Sequence, residues 1–537
     1  MTGQMINSPL TITSLMAFGE KIHADTEIVS VTIDNSLFRY TFADAFRRAR
    51  RLANALARLG AKFGDRIGTL AWNDHRHFEL YFAVNCSGMI CHTINPRLFL
   101  EQIDYIINHA EDQFVFTDVV FLPLLEKLKD RLSTVKGIIV MTDQAHMPVT
   151  SMTNVHCYET LLAVESDLFS WPELNELDAS GLCYTSGTTG NPKGVLYNHR
   201  NTVLFAMTGI SVLGLGKNDA VLPIAPMFHV NAWGIPYCSV VTGSKIVFPG
   251  RKMADGETLT SLINEEKITY SAGVPTIWMA LLDYLKQSGA TVDSLRRVTT
   301  GGAACPLSIM EDFDKYGVYT DVGWGMTEST LGSYNSDLDR SVLGEEEFAR
   351  LRVKAGRVIY GIEMKITDDD NNELPWDGEA FGALKIRGPF VCDGYFKIEH
   401  SKAHHADGWF DTGDIATIDS TGMLQITDRR KDIIKSGGEW ISSMDLENVA
   451  VDHPFVVEAA VIGVHHKKWI ERPLLLVIKH PNVELSKEDM LAWFNGKVAN
   501  WWIPDDCLFV EELPHTGTGK LSKKDLREQY KDYSLST

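Results

Sequence analysis

No stretch of the 537-residue chain reaches the roughly 18 consecutive apolar residues that a membrane-spanning helix requires, so integral membrane contact is not expected. Basic residues are also scarce. The chain has 51 Lys and Arg against 70 Asp and Glu, a net charge of -19. A general nucleic-acid binder needs a basic surface, and that class is therefore excluded. Any phosphate must be held by local loops and individual lysines.

Cysteine is the next scarcity. The eight cysteines form no C-x-x-C pair, and the closest spacing is between Cys86 and Cys91. A disulfide framework is not expected in a chain this long with so few cysteines, and the thiols are predicted to lie reduced in the core. The N-terminus has no basic segment followed by an apolar one, as a secretory leader would. These features predict a cytoplasmic protein.

What the chain does contain is an alternation of apolar strands with helical patterns, which predicts an α/β fold with largely parallel sheets. The clearest helix is predicted over 42–59, between a capping Thr41 and a terminating Gly60. A second helix is predicted at 76–89, and strands at 66–72, 90–94, 113–117, 136–141, 244–248 and 319–323.

The pattern changes twice towards the C-terminus. Short strands broken by Gly, Asn and Asp predict a β-rich subdomain at about 357–428, with strands at 362–367, 383–387 and 423–427. Beyond Asp428 the pattern predicts a helix near 443–453, strands at 457–464 and 474–479, and a helix over 486–500. We therefore predict a large N-terminal domain, residues 1–428, and a small α+β C-terminal domain, residues 429–537.

The strongest candidate for chemistry is residues 184–194, Tyr-Thr-Ser-Gly-Thr-Thr-Gly-Asn-Pro-Lys-Gly. Glycines let backbone N–H groups approach an anion, hydroxyls donate further hydrogen bonds, and Lys193 adds a positive charge. The spacing differs from G-x-x-x-x-G-K-[ST], so this is a phosphate loop of another kind. Apolar segments on both sides predict flanking buried strands and argue against a flexible linker.

Two further polar segments are candidate ligand-binding sites, although each gives a weaker signal on its own than residues 184–194. Residues 323–329 follow a predicted strand, where open α/β sheets bind ligands. Within them, Glu328 is a candidate Mg²⁺ ligand and Trp324 a candidate stacking partner for a base. Residues 411–414, Asp-Thr-Gly-Asp, are predicted to form a tight turn whose carboxylate accepts hydrogen bonds from ribose hydroxyls.

These segments together resemble the signatures of adenylate-forming enzymes, the superfamily of acyl-CoA synthetases, luciferases and peptide-synthetase adenylation domains. The resemblance extends in order through 184–194, 301–304, 323–328, 411–414, 428–440 and 514–520, and covers about residues 30–530. Residues 226–234 and 501–506 are similar to the medium- and long-chain fatty acyl-CoA synthetases, including 3-methylthiopropionate–CoA ligases.

The resemblance implies two half-reactions. A carboxylate and MgATP give acyl-adenylate and pyrophosphate, and CoA then displaces AMP. Lys520 resembles the lysine that bridges the α-phosphate and the carboxylate, and Thr327 an α-phosphate donor. Thr185 and Glu328 resemble the Mg²⁺ ligands. The β,γ-phosphate cradle is implied for Ser186, Gly187, Thr188, Thr189, Gly190 and Lys193.

The nucleoside and CoA contacts are implied in the same way. The adenine slot is expected at Gly302, Ala303, Ala304 and Trp324, continuing into Gly325 and Met326. The ribose is expected to bind Asp414 and Arg429, with further nucleotide contacts at Lys435 and Trp440. The hinge is expected at Lys431, and the CoA tunnel at Gly437, Gly438 and Glu439. The C-terminal domain is expected to rotate about this hinge between the two steps.

The acyl pocket is expected at His229, Val230, Trp233 and Gly301, with His229 beside the carboxylate and Trp233 as a gate. Three functions stay open: an acyl-CoA synthetase, an adenylation enzyme that loads a carrier protein, and a non-catalytic nucleotide-binding protein. The absence of a carrier domain and the segment 501–506 favour the first. Short-to-medium acids are favoured over long ones, and the resemblance implies a homodimer.

Overall fold

The computed structural model describes residues 3–185, 191–336, 338–436, 439–516, 521–533 and 535. The predicted α/β class is confirmed. Two large sheets and a smaller C-terminal sheet are flanked by helices, and the C-terminal part has its own apolar core. No helix in the described ranges is both long enough and apolar enough to cross a membrane.

The first sheet, called sheet 1, has seven strands and is parallel except for its last pair. The strands predicted at 66–72, 90–94, 113–117 and 136–141 all lie in it, because buried parallel strands produce the short apolar runs seen in the sequence. In spatial order its strands are Val155–Cys157, Gly137–Val140, Asp112–Thr117, Arg66–Leu70, Ile90–Thr93, Ala179–Tyr184 and Gly194–Asn198.

The second sheet, sheet 2, has thirteen strands. Its central strands, from Tyr319–Trp324 to Glu27–Val31, run parallel, and the others pair antiparallel. In order the strands are Glu363–Thr367, Phe381–Arg387, Phe410–Ile418, Met423–Arg429, Gly356–Val358, Ser333–Asn335, Tyr319–Trp324, Arg297–Gly301, Tyr270–Gly273, Ala220–Pro223, Lys245–Phe248, Glu27–Val31 and Leu37–Thr41.

The strands predicted as a β-rich subdomain form the antiparallel end of sheet 2. Here the prediction of a tight turn at 411–414 is wrong: these residues lie inside the strand Phe410–Ile418. Gly413 has a φ of 73°, and the pairing with strand Phe381–Arg387 is interrupted between Ala383 and Lys385. The Asp-Thr-Gly-Asp pattern that suggests a turn therefore encodes a β-bulge, which aims a side chain out of a strand.

Sheet 3, in the C-terminal part, has five strands: Glu439–Ile441, Ile434–Ser436, Ile470–Lys479, Val456–His466 and Asp506–Phe509. The helix predicted over 486–500 is wrong in length, because it ends at Ala492. Gly496 follows with a φ of 73°, and residues 500–502 form a separate 3₁₀ turn. Apolar side chains in this segment pack against the sheet without continuing the helix.

The helix predicted over 42–59 is confirmed, with a reciprocal capping box between Thr41 and Asp44 and a left-handed Gly60. The second predicted helix ends earlier, at Cys86. In the described residues the α-helices are Ile12–Ile22, Phe42–Leu59, His75–Cys86, Leu100–Ala110, Leu122–Leu128, Tyr158–Ala163, His199–Leu213, Ile235–Thr242, Gly256–Glu265, Pro275–Ser288, Leu307–Lys315, Arg340–Leu343, Glu345–Arg352, Ser443–Val451, Lys487–Ala492 and Lys523–Gln529.

Candidate active site

A cavity of about 600 Å³ opens where the carboxyl ends of the central strands of sheet 2 face the C-terminal part of the chain. This is where open α/β sheets bind ligands. The segment Val457–Ala459 and the residues Thr516 and Leu521 line it from the C-terminal side. Among the predicted site residues, the cavity is lined by Thr185, Lys193, His229, Val230, Trp233, Gly301, Gly302, Ala303, Ala304, Gly325, Met326, Thr327, Glu328, Arg429 and Lys431.

The ends of the phosphate loop are held by a β-hairpin of sheet 1. Strands Ala179–Tyr184 and Gly194–Asn198 pair antiparallel, as the apolar flanks predict. The Thr185 N–H donates to the Lys193 carbonyl at 2.9 Å, and the Lys193 N–H donates to Thr185 Oγ1 at 3.3 Å. The loop between them, residues 186–190, lies outside the described residues. The hairpin thus brings a hydroxyl and an ammonium to one side of the cavity.

Glu328 is one of the carboxylates that line the cavity, and it is 6% exposed. The Tyr395 hydroxyl donates to Glu328 Oε1 at 2.7 Å, and the Lys193 ammonium lies 4.8 Å from the centroid of the Tyr395 ring. Burial raises the pKa of Glu328, although the hydrogen bond from Tyr395 and the charges of Arg429 and Lys193 oppose this. The site therefore combines an oriented carboxylate with nearby cations.

The donor set around Glu328 fits Mg²⁺. This ion is commonly held through one or two carboxylates together with substrate phosphate oxygens, and it needs no protein cage. The described residues contain no group of three or more His, Cys, Asp or Glu side chains placed to hold a metal. The Glu328 carboxylate and the Thr185 hydroxyl both line the cavity, and this pair of oxygen donors suits such binding.

Asp414, the predicted ribose ligand, is held on the bulge by two side chains. Arg429 Nε lies 2.8 Å from Asp414 Oδ1, and the Trp324 indole N–H donates to Asp414 Oδ2 at 3.0 Å. The Trp324 indole is thereby anchored, and neither Trp324 nor Asp414 lines the cavity itself. Gly302, with a φ of 80°, and the two alanines after it continue from strand Arg297–Gly301 beside this pair.

The predicted acyl-pocket residues form an unusual left-handed turn. Val230, Asn231, Ala232 and Trp233 have φ values of 48°, 51°, 50° and 54°, and Gly234 follows at 71°. The left-handed conformation costs about 1–2 kcal/mol for each non-glycine residue, so the surrounding packing has to impose it. The turn places the Trp233 ring over Gly301, where an added Cβ would stand 3.4 Å from Trp233 Cη2.

Lys435 and Trp440 do not line the cavity in this structure. The Lys435 ammonium lies 5.5 Å from the centroid of the Trp440 ring, which in turn packs at 5.5 Å against Phe381. Their nucleotide contacts stay predictions. Glu439 begins the strand Glu439–Ile441. The remaining predicted residues, Ser186 to Gly190, Gly437, Gly438 and Lys520, lie outside the described residues.

The geometry agrees with comparisons to known proteins. The sequence profile described as AMP-binding enzyme matches residues 21–396, and that of the AMP-binding enzyme C-terminal domain matches residues 445–520. The chain belongs to the AMP-binding enzyme family.

Relatives in this family align over nearly the whole chain. The 3-methylmercaptopropionyl-CoA ligase of Ruegeria lacuscaerulensis is 48% identical, covering 99% of both chains. The medium-chain-fatty-acid–CoA ligase of Ectopseudomonas oleovorans is 47% identical, covering 100% of this chain and 98% of its own. The crystal structure of the anthranilate CoA ligase AuaEII with anthranoyl-AMP superposes with a TM-score of 0.86 at 25% identity, covering 97% and 98% of the two chains. The resemblance to adenylate-forming acyl-CoA synthetases is confirmed.

Two cavity residues of this AMP-binding enzyme carry no signal in its motifs. Tyr395, which orients Glu328, lies far from it in sequence, and a lone tyrosine predicts nothing. Arg97 lines the cavity with its guanidinium 5.5 Å from the centroid of the Trp72 ring. A lysine or arginine near an apolar segment is usually a solvated surface residue, so the sequence alone could not distinguish Arg97 from the other arginines.

The two parts of this AMP-binding enzyme meet through Asp428, which is 1% exposed. Its Oδ2 accepts hydrogen bonds from the Ser443 N–H at 2.7 Å and the Ser443 hydroxyl at 2.6 Å. Lys523 donates to the same hydroxyl at 2.6 Å and pairs with Glu447 at 2.9 Å. Asp428 therefore ties strand Met423–Arg429 of sheet 2 to the first turn of helix Ser443–Val451.

Replacing Asp428 by alanine should loosen this contact, because two buried hydrogen bonds are lost and the Lys523 ammonium loses a nearby negative charge. We expect a cost of about 1–3 kcal/mol. Hydrogen–deuterium exchange is the measurement: amides of helix Ser443–Val451 should exchange faster in Asp428→Ala than in wild type. Asp369→Ala, at an exposed position, is the matched control. Unchanged exchange in that helix would show that Asp428 does not hold the two parts together.

Proposed function

We propose that this AMP-binding enzyme is an acid–thiol ligase that converts a short-to-medium-chain carboxylate, such as a fatty acid or 3-methylthiopropionate, with ATP and CoA into acyl-CoA, AMP and pyrophosphate. The observation that carries the proposal is the cavity itself. Buried Glu328 and the cations Lys193 and Arg429 line the same cavity as Trp233 and its apolar neighbours. Relatives named as ligases for acids of this class support it.

In the first step a carboxylate oxygen attacks the α-phosphorus of ATP, and pyrophosphate leaves with the electrons of the broken P–O bond. The obstacle is the approach of two anions. Lys193 and Arg429 line the cavity and supply positive charge that would offset the repulsion between the carboxylate and the phosphates. Thr327 is fixed because its carbonyl accepts a hydrogen bond from the Tyr197 hydroxyl at 2.5 Å. The Thr327 hydroxyl is proposed to donate to the α-phosphate, and Lys520 to bridge the reacting oxygens.

In the second step the CoA sulfur attacks the acyl carbonyl, and AMP leaves from the tetrahedral intermediate. His229, beside the left-handed turn, is proposed to border the carbonyl, and residues 437–439 to border the pantetheine arm. Glu328 and Thr185, with phosphate oxygens, would hold Mg²⁺, and the ion would supply positive charge for the pyrophosphate that leaves in the first step. Between the steps we propose rotation of the C-terminal domain, residues 429–537, about Lys431.

The proposal also covers the cellular location, the oligomeric state and the metal. A cytoplasmic location is supported by the cysteine pattern, since all eight thiols are unpaired and seven are buried. A homodimer is supported by the resemblance to fatty acyl-CoA synthetases, and sedimentation velocity tests it. Removal of Mg²⁺ by a chelator should stop pyrophosphate formation, and this experiment tests the requirement for Mg²⁺.

The deciding experiment is CoA-dependent AMP formation across acids from acetate to palmitate, with 3-methylthiopropionate included. We expect a maximum among the short and medium acids. A maximum at palmitate would instead establish a long-chain ligase. Acid-dependent pyrophosphate release without any thioester on CoA, but with transfer to a carrier protein, would establish the carrier-loading alternative. No pyrophosphate release with any acid would contradict the proposal as a whole.

A further inference from the structure

The acyl pocket runs along one face of sheet 2. Within a strand, alternate residues share a face, and directly paired residues on neighbouring strands share it as well. Gly301 pairs with Gly323, and Thr299, two residues earlier, pairs with Asp321. Arg297, two residues earlier again, pairs with Tyr270 of the next strand. Three rows therefore follow one another, from the carboxyl edge of the sheet towards its amino edge.

The first row consists of two glycines and Tyr334, which pairs with Gly323. The Trp233 ring lies over Gly301, and the Tyr334 ring lies over Gly323, where an added Cβ would stand 3.4 Å from it. The opposite wall of the pocket is apolar and comes from helix His199–Leu213 and the residue after the left-handed turn: Phe205, Leu213 and Ile235. An acyl chain that enters beside the nucleotide site therefore runs past the Trp233 ring and this apolar wall.

Three hydroxyl residues, one from each row, end this space: Tyr334 from the first row, Thr299 from the second and Tyr270 from the third. The Thr299 hydroxyl lies 2.7 Å from the Tyr270 hydroxyl and 2.6 Å from the Tyr334 hydroxyl, and Tyr334 donates to Asp321 Oδ2 at 2.8 Å. All three hydroxyl residues line the cavity, yet each is less than 10% exposed. Thr299 lies about 7 Å below Gly301 at the usual rise of a strand. We call Tyr270, Thr299 and Tyr334 the hydroxyl floor.

Behind the hydroxyl floor lies Arg297. Its Nε is 3.3 Å from Asp321 Oδ2, and its guanidinium lies 5.4 Å from the centroid of the Tyr270 ring. The same guanidinium donates to the Leu213 carbonyl, at the end of the helix that covers the pocket. An added Cβ on Gly214 would stand only 3.0 Å from the Arg297 guanidinium, so the guanidinium packs closely against the end of this helix. The arginine side chain is 23% exposed, and it separates the hydroxyl floor from solvent.

We propose that the hydroxyl floor, backed by Arg297, sets the length of acid that this enzyme accepts, with the Tyr270 ring as the stop. Because the hydroxyls bond to one another and to an ion pair, the floor is costly to disrupt and does not yield to a longer chain. The substrate class is then a short-to-medium acid, carbon or thioether, since each poorly fitted methylene costs about tenfold or more in kcat/KM.

The proposal rests on the proposed function, and opposite changes at two positions test it. Tyr270→Ala removes the ring and should move the maximum of kcat/KM towards decanoate and dodecanoate, with a gain of about tenfold or more relative to hexanoate. Thr299→Leu fills the space below Gly301 and should move the maximum to shorter acids. Tyr270→Phe keeps the ring, so its kcat/KM should be highest for the same acid as in wild type, even if its kcat changes. Tyr360→Ala, at a position 91% exposed, is the matched control for the size of the change.

Pyrophosphate release with butyrate shows whether each variant is folded and binds ATP. If Tyr270→Ala does not fold, Thr299→Leu carries the test alone. Unchanged chain-length maxima in folded Tyr270→Ala and Thr299→Leu would overturn the proposal while leaving the ligase activity in place. A wild-type enzyme that releases no pyrophosphate with any acid would instead refute the proposed function, so the two failures are distinguishable.

Discussion

Replacing Lys520 by alanine should abolish formation of the acyl-adenylate and leave thioester formation from supplied acyl-adenylate largely intact. The first step joins two anions, and a cation placed between them is worth about 10²–10³-fold in rate or more. The second step joins a sulfur nucleophile to a neutral carbonyl and has no such requirement. Thr516 and Leu521, the nearest described residues on either side of 517–520, line the cavity. Acid-dependent pyrophosphate release and acyl-CoA formation from synthetic acyl-AMP measure the two steps separately.

Lys524→Ala is the matched control, because Lys524 is exposed four residues further along the chain. It should retain both steps. If Lys520→Ala lost both half-reactions equally, one lysine would serve both steps, and the proposed rotation between two arrangements of the C-terminal domain would be wrong.

Glu328→Gln should lower kcat by about 10²–10³-fold, because an uncharged amide removes the negative charge proposed to hold Mg²⁺. The fold should survive, since the amide oxygen still accepts the hydrogen bond from Tyr395 that Glu328 accepts at 2.7 Å. Turnover is measured against Mg²⁺ concentration in both proteins, and the variant should need far more metal. Glu346→Gln, at an exposed position, is the control. An equal Mg²⁺ requirement in Glu328→Gln and wild type would remove Glu328 from the metal site.

The same carboxylate predicts the acid side of the pH profile. Burial raises the pKa of Glu328, and only its ionised form binds a cation. In wild type, turnover should therefore fall as the pH drops through this raised pKa, at a higher pH than for an exposed glutamate. The residual activity of Glu328→Gln should lack this acid limb. The direction follows from the sign of the shift, since lowering the pH protonates the carboxylate that is proposed to hold the cation.

The parallel strands and the long helix at Phe42–Leu59 could be predicted because burial on both faces, helical spacing and caps leave local patterns in sequence. The bulge at 411–414 and the early end of helix Lys487–Ala492 could not, because tertiary packing decides them. The phosphate-loop ends and Glu328 were found from motifs. The hydroxyl floor was not, since Tyr270, Thr299 and Tyr334 meet only through strand register, and a pairing shifted by one residue would turn them to the other face.

The left-handed turn at Val230–Trp233 has a consequence for directed evolution of this enzyme. Any library that randomises these positions selects first for tolerance of positive φ, which favours glycine and asparagine over other residues. Variants enriched at these positions would be selected for the left-handed backbone conformation before they are selected for activity on the acid supplied in the screen. Altered substrate preference is therefore easier to obtain, and to interpret, at extended positions of sheet 2 such as Tyr270 and Thr299, where the backbone accepts any ordinary side chain.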